Sequence, residues 1–119
     1  MANIELLDEV MEVIETYPED WAQDAWVAQC GTAFCFAGHA AIRSHPTWFL
    51  EIKEDPFNHK YFYTQSMLDE NREYAGPIKE VAQKALDIDW TFANQLFNAD
   101  NSITALRRIV ARIKSGVRY

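Results

Sequence analysis

The chain has 119 residues, 49% of them hydrophobic and 13% aromatic, with a formal net charge of −7. This length and composition fit one globular domain over 1–119 that buries a core without staples, and they exclude a disordered chain. The negative charge disfavours nucleic acid as a partner, and the lack of a long apolar run argues against a membrane span.

The start, "MANIELLDEVMEV", is acidic and reads as neither a signal nor a transit peptide. A cytoplasmic protein is expected, with both cysteines reduced. Charge is divided along the chain. Residues 1–42 hold eight acids and no Lys or Arg, whereas five basic groups and no acids follow Ser102.

An amphipathic helix is predicted after Asn3, a plausible N-cap, and Pro18 ends or kinks it. Its apolar half carries Ile4, Leu6, Leu7, Val10, Met11, Val13, Ile14 and Tyr17; its acidic half carries Glu5, Asp8, Glu9, Glu12 and Glu15. Residues 18–31 suggest a short helical turn and an extended segment, with Trp21 and Trp26 over the core. Thr32 is expected to cap a second helix over 33–44, stopped by Pro46. Ala33, Ala37, Gly38, Ala40 and Ala41 make it a small-residue helix suited to the centre of the fold. Glycine inside a helix costs about 1 kcal/mol against alanine, so close packing at Gly38 is expected.

"WFLEIK" and "KYFYTQ" are rich in aromatic and branched residues, and "EDPFNH" between them carries turn signals. A β-hairpin over about 48–65 is predicted. Pro77 suits the first turn of a helix reaching Leu86, with Ile78, Val81, Ala82, Ala85 and Leu86 inward. Asp89 is expected to cap "WTFANQLF". Ser102 caps the last helix, with Ile103, Leu106, Val110, Ile113 and Val117 inward and Gly116 at its end. The expected class is α+β, mostly α: about five helices around 33–44, plus one hairpin.

The stretch "AQCGTAFCFAGHA", residues 28–40, invites chemical readings. A papain-like protease needs Cys-Gly-Ser-Cys spacing, and His and Asn roughly 130–150 residues downstream. Here two extra residues separate Cys30 from Cys35, and 84 residues follow Cys35. A phosphatase needs an arginine six positions after its cysteine, and those positions hold Phe36 and Ala41. No Walker loop, His-Glu-x-x-His or Gly-x-Ser-x-Gly is present. "NADNSITALRRI" resembles a calcium loop, yet Ile103 and Ile109 replace its glycine and glutamate.

Two chemical readings stay open. Cys30, Cys35 and His39, with His45 or His59, have donors that suit zinc. A helix N-terminus favours a thiolate, so Cys35 with Cys30 as resolving partner suits redox chemistry, although Phe34 and Phe36 would raise the pKa. The favoured reading of Cys30, Gly31, Thr32, Cys35, Gly38 and His39 is structural, with no catalytic residue, metal or cofactor.

"CGTAFCFAGHA" resembles the segment Cys-Gly-Thr-x-x-Cys-x-Ala-Gly-x-Ala of a group of small, largely uncharacterised proteins of actinobacteria and their phages. In that group a helix ending in Leu-Gly-Leu precedes a capped helix with Ala-x-x-Leu-Phe, then Asn and a final helix. Here "LDI", "ANQLFN" and "NSITALRRIV" correspond, with Asp87 in place of the glycine. The resemblance covers the first helix, 30–43 and 77–114; residues 46–72 have no counterpart. It implies a cytoplasmic, phage-encoded domain and no particular activity.

A non-enzymatic interaction or regulatory module that binds a host protein is therefore expected, of unspecified oligomeric state. The interaction candidates are Glu5, Asp8, Glu9, Glu12, Arg107, Arg108 and Arg112. The rivals are the thiol or zinc chemistry above and an acidic DNA mimic. A further expectation is that the acidic first helix and the basic last helix lie close and partly neutralise one another.

Overall fold

The computed structural model describes residues 2–21, 35–98 and 100–116. Its elements are α1 (Ile4–Thr16), α2 (Phe36–Ser44), β1 (Phe49–Glu54), β2 (Tyr61–Leu68), β3 (Tyr74–Pro77), α3 (Ile78–Leu86), α4 (Trp90–Leu96) and α5 (Ile103–Lys114). A 3-10 turn at Pro18–Asp20 follows α1. The class is α+β, mostly α, with five helices and one antiparallel sheet among the described residues.

Three helices start where the sequence places their caps. The Asn3 side chain accepts from the Leu6 N–H at 3.1 Å, that of Asp89 from Phe92 at 3.0 Å, and that of Ser102 from Ala105 at 3.1 Å. Each satisfies an N–H that the first turn leaves without an intrahelical partner. Asn3 also donates its backbone N–H to the Leu86 carbonyl at 2.8 Å, tying the start of α1 to the end of α3.

The helix predicted over 33–44 begins three residues later. Its N-cap is Cys35, extended at φ −73° and ψ 177°, with Sγ accepting from the Gly38 N–H at 3.4 Å. Thr32 is therefore not the cap of α2, and it lies outside the described residues, as do Cys30, Gly31 and Trp26. The buried run from Phe36 to Ala41 sets where α2 starts; the thiol takes the place expected of a hydroxyl.

Pro77 is likewise not inside the first turn of α3. At φ −63° and ψ 145° it is extended and closes β3, and the helix starts at Ile78. Asp87, at the position of the glycine in Leu-Gly-Leu, adopts the left-handed conformation at φ 53° and ψ 49°. Aspartate tolerates that conformation better than most residues, so the turn forms without glycine. Gly116, at φ 76°, ends α5 as predicted.

The sheet order is β1-β2-β3, with both pairs antiparallel. The predicted hairpin is present, and β2 runs on to Leu68. The third strand was not anticipated: "YAGP" is short and carries no alternating pattern. Gly76 makes that strand possible, at φ +144°, a backbone conformation that side chains rarely adopt.

Leu7, Val10, Ile14, Phe36, Ala37, Ala40, Ala41, Ala82, Leu86, Ala93, Leu96 and Leu106 are all 0% exposed and form the core. Helix α2 packs on α1 and α3, α1 also meets α5, and α5 meets α4. Helix α3 joins this bundle to the sheet through β2 and β3. Buried Met67 sits there, opposite Leu50 on one side and Gly76 on the other. Toward its loop the hairpin leaves the core: Ile52, Lys53, Glu54 and Tyr61 are exposed, and so is every residue from Pro56 to Lys60.

Candidate functional site

Cys35 is 1% exposed and is a free thiol. Burial pushes its pKa from 9.0 up to about 11, outweighing the backbone hydrogen bonds from Gly38 and Ala37 that act the other way. A helix N-terminus does favour a thiolate, but loss of solvent is the larger effect at this site. Cys35 is accordingly protonated at neutral pH.

His39, one turn further on, is 7% exposed and is the buried polar side chain of the described core. Among the described residues no buried polar side-chain atom lacks a hydrogen-bond partner. Gly38 is buried between them. The other two histidines offered as zinc ligands are engaged elsewhere. His45 stacks on Trp48 with ring centroids 3.6 Å apart, and His59 pairs with Glu54 at 3.0 Å in the hairpin loop. Among the described residues no three His, Cys, Asp or Glu side chains converge as a metal site.

This geometry predicts slow thiol chemistry. In a Cys30→Ser background, Cys35 is expected to react with a disulfide reagent only as fast as the protein opens; a fast native-state reaction would contradict its burial. Cys35→Ala, which removes the cap, is expected to cost about 0.5–2 kcal/mol. The pH dependence has a definite sign. Below the unfolded pKa both states hold the proton and the contribution is complete. Above it the unfolded chain ionises first, so stability falls as pH rises and levels off beyond about 11. The loss, about 3 kcal/mol, is read as the difference between wild type and Cys35→Ala in urea midpoints. A difference that stays constant with pH would remove the raised pKa.

The charged candidates meet one another. Arg107 reaches Glu15 at 2.9 Å, Lys114 reaches Asp8 at 2.8 Å, and Arg43 reaches Glu9 at 2.7 Å. The first two pairs join α1 and α5, which lie close as the charge division suggested; the pairing also shows that they run antiparallel. Arg112 donates to the Gln95 side chain at 3.4 Å. Glu5, Glu12 and Arg108 are exposed and make no ion pair among the described residues. Each exposed pair is worth about 0–1 kcal/mol, so the pairs set orientation rather than fold the chain. They also leave the acidic face of α1 broken by cations, a poor copy of a uniform row of phosphates.

The hairpin presents a different surface, which the sequence did not single out. Phe57 at its tip is 93% exposed, Tyr61 69% and Ile52 52%. The tip is ordered by hydrogen bonds within the loop. Asp55 accepts from the Phe57 N–H at 2.8 Å, Asn58 accepts from Lys60 at 2.9 Å, and the Asp55 N–H donates to the Lys60 carbonyl at 2.8 Å. The phenylalanine of "EDPFNH" gave no sign of its exposure, because an aromatic in a loop as often folds back onto a core. No helix among the described residues is long and apolar enough to cross a membrane. Comparison with protein-family models, curated proteins and solved structures gives no match.

Proposed function

We propose that the chain is a non-enzymatic interaction or regulatory module, phage-encoded and cytoplasmic, that binds a host protein through the β1–β2 hairpin. The observation that carries this reading is the exposure of Phe57, Tyr61 and Ile52 together on one arm. Scattered exposed apolar residues are ordinary; several grouped on one projecting element favour a docking surface. An aromatic held on an ordered tip suits an anchor that enters a partner's pocket with little loss of conformational freedom. The source and compartment rest on the resemblance of "CGTAFCFAGHA" and on the acidic composition.

The test is comparative capture. The wild-type chain and a Phe57→Ser/Tyr61→Ser variant are used as bait in lysate of the native host. Both positions are exposed, so the variant is expected to keep its circular dichroism and melting temperature. The expected result is a protein retained by the wild type and lost with the variant. Identical captured sets would dismiss the hairpin as the docking surface.

A further inference from the structure

Among the described strands, β1 lies at an edge of the sheet, paired only with β2. Its sequence "FLEIKE" contains no proline. Natural edges are commonly protected by proline, bulges or charged side chains, lysine above all; β1 carries Glu51, Lys53 and Glu54, so only a strand that matches those charges can pair with it, and the ladder irregularity between Leu50 and Ile52 places the additional residues on β2.

The direction of the edge groups follows from the pairing. Asp55 donates its N–H to Lys60, so its backbone faces β2. Antiparallel strands alternate. Lys53, opposite residue 62, therefore also faces β2, and Ile52 and Glu54 turn their N–H and C=O groups outward.

Resting on the hairpin as the interaction surface, we propose that this open edge pairs antiparallel with β1 of a second copy, in the register that sets Ile52 opposite Ile52 across a two-fold axis. Charge selects that register. With Ile52 on the axis, Glu51 lies opposite the partner's Lys53, and by symmetry Lys53 lies opposite the partner's Glu51. These are non-hydrogen-bonded pairs, whose side chains approach most closely. With Glu51, Lys53 or Glu54 on the axis, two like charges face each other directly, which is destabilising. With Leu50 on the axis, no charged pair forms.

The groups are available for this pairing. Lys53 is exposed and makes no ion pair among the described residues. One oxygen of the Glu51 carboxylate accepts from the Thr64 hydroxyl at 2.8 Å, and the other is left for the partner's lysine. On the axis, two half-exposed Ile52 side chains cover each other on one face of the joined sheet.

Two single reversals and their mixture test the register. Glu51→Lys leaves only lysines at the paired positions, and Lys53→Glu leaves only glutamates. Sedimentation velocity over a concentration series is expected to show wild-type dimer, each variant monomeric where the wild type is dimeric, and an equimolar mixture of the two forming a heterodimer. Recovery in the mixture also shows that each variant is folded. A wild-type chain that stays monomeric up to millimolar concentration, or a dimer untouched by either reversal, overturns the proposal. The Phe57→Ser/Tyr61→Ser chain keeps β1 intact. Loss of host-protein capture with dimerisation intact would be separate from loss of the dimer with capture intact.

Discussion

Replacing Phe36 by alanine is expected to lower the unfolding free energy by about 3–5 kcal/mol. The ring is 0% exposed at the first residue of α2, the helix that packs on both α1 and α3. Its removal subtracts the transfer of a large apolar side chain from water and leaves a cavity, which two helices anchored on other side chains cannot fully close. Urea denaturation checks this, with the slope required to stay constant so that the midpoint alone reports stability. Phe36→Leu, which keeps most of the volume, should lose much less. A cost for Phe36→Ala within about 1 kcal/mol, the typical effect of an unremarkable substitution, would remove α2 from the centre of the fold. The residue adjoins Cys35, so the result also bears on the whole Cys-to-His stretch as packing rather than chemistry.

Ala40→Leu is expected to cost about 1–3 kcal/mol by the opposite route. Ala40 is 0% exposed, as are Ala37 and Ala41, so α2 presents small side chains to its neighbours and the helices approach closely. A leucine must take an unfavourable rotamer or push α1 or α3 away. Alanine to leucine hardly changes helix propensity, so the measured loss isolates crowding. Ala111→Leu on the exposed side of α5 provides the contrast, with an expected change within about 0.5 kcal/mol. Equal effects at the two positions would contradict close packing around α2.

The helical part of this architecture was legible because period and punctuation agreed. Asn3, Asp89 and Ser102 each stand before an apolar stripe, and each caps a helix there. On α3 the inward set Ile78, Val81, Ala82 and Leu86 is buried as its spacing required, with Ala85 half-buried. On α5 the buried stripe includes Ile109, outside the expected row, because the bundle covers a wider face than a narrow seam, and Val117 of that row lies outside the described residues.

The sequence was less informative where tertiary contacts override local preference. A threonine is a better cap than a cysteine by propensity, yet with Phe36–Ala41 buried the N-cap of α2 is Cys35. The strand at Tyr74–Pro77 is held by β2 and by one glycine at positive φ, neither visible as a pattern. The ion pairs between α1 and α5 were foreseeable from charge alone, because two oppositely charged amphipathic helices in a small domain have few other neighbours. Exposure of Phe57 was not foreseeable, since nothing in "EDPFNH" says which way its ring turns.

The meeting of α1 with α5 has a consequence for how the molecule is made. Glu15 waits for an arginine 92 residues downstream, and Asp8 for a lysine 106 residues downstream. Closing loops of that length is slow relative to forming local turns. During vectorial synthesis, the side of α1 that carries Met11 has no α5 to cover it until the last helix leaves the ribosome. Until then Asp8 and Glu15, whose cationic partners lie on α5, stand as free charges beside that apolar side, and charges that flank an exposed apolar segment oppose its aggregation.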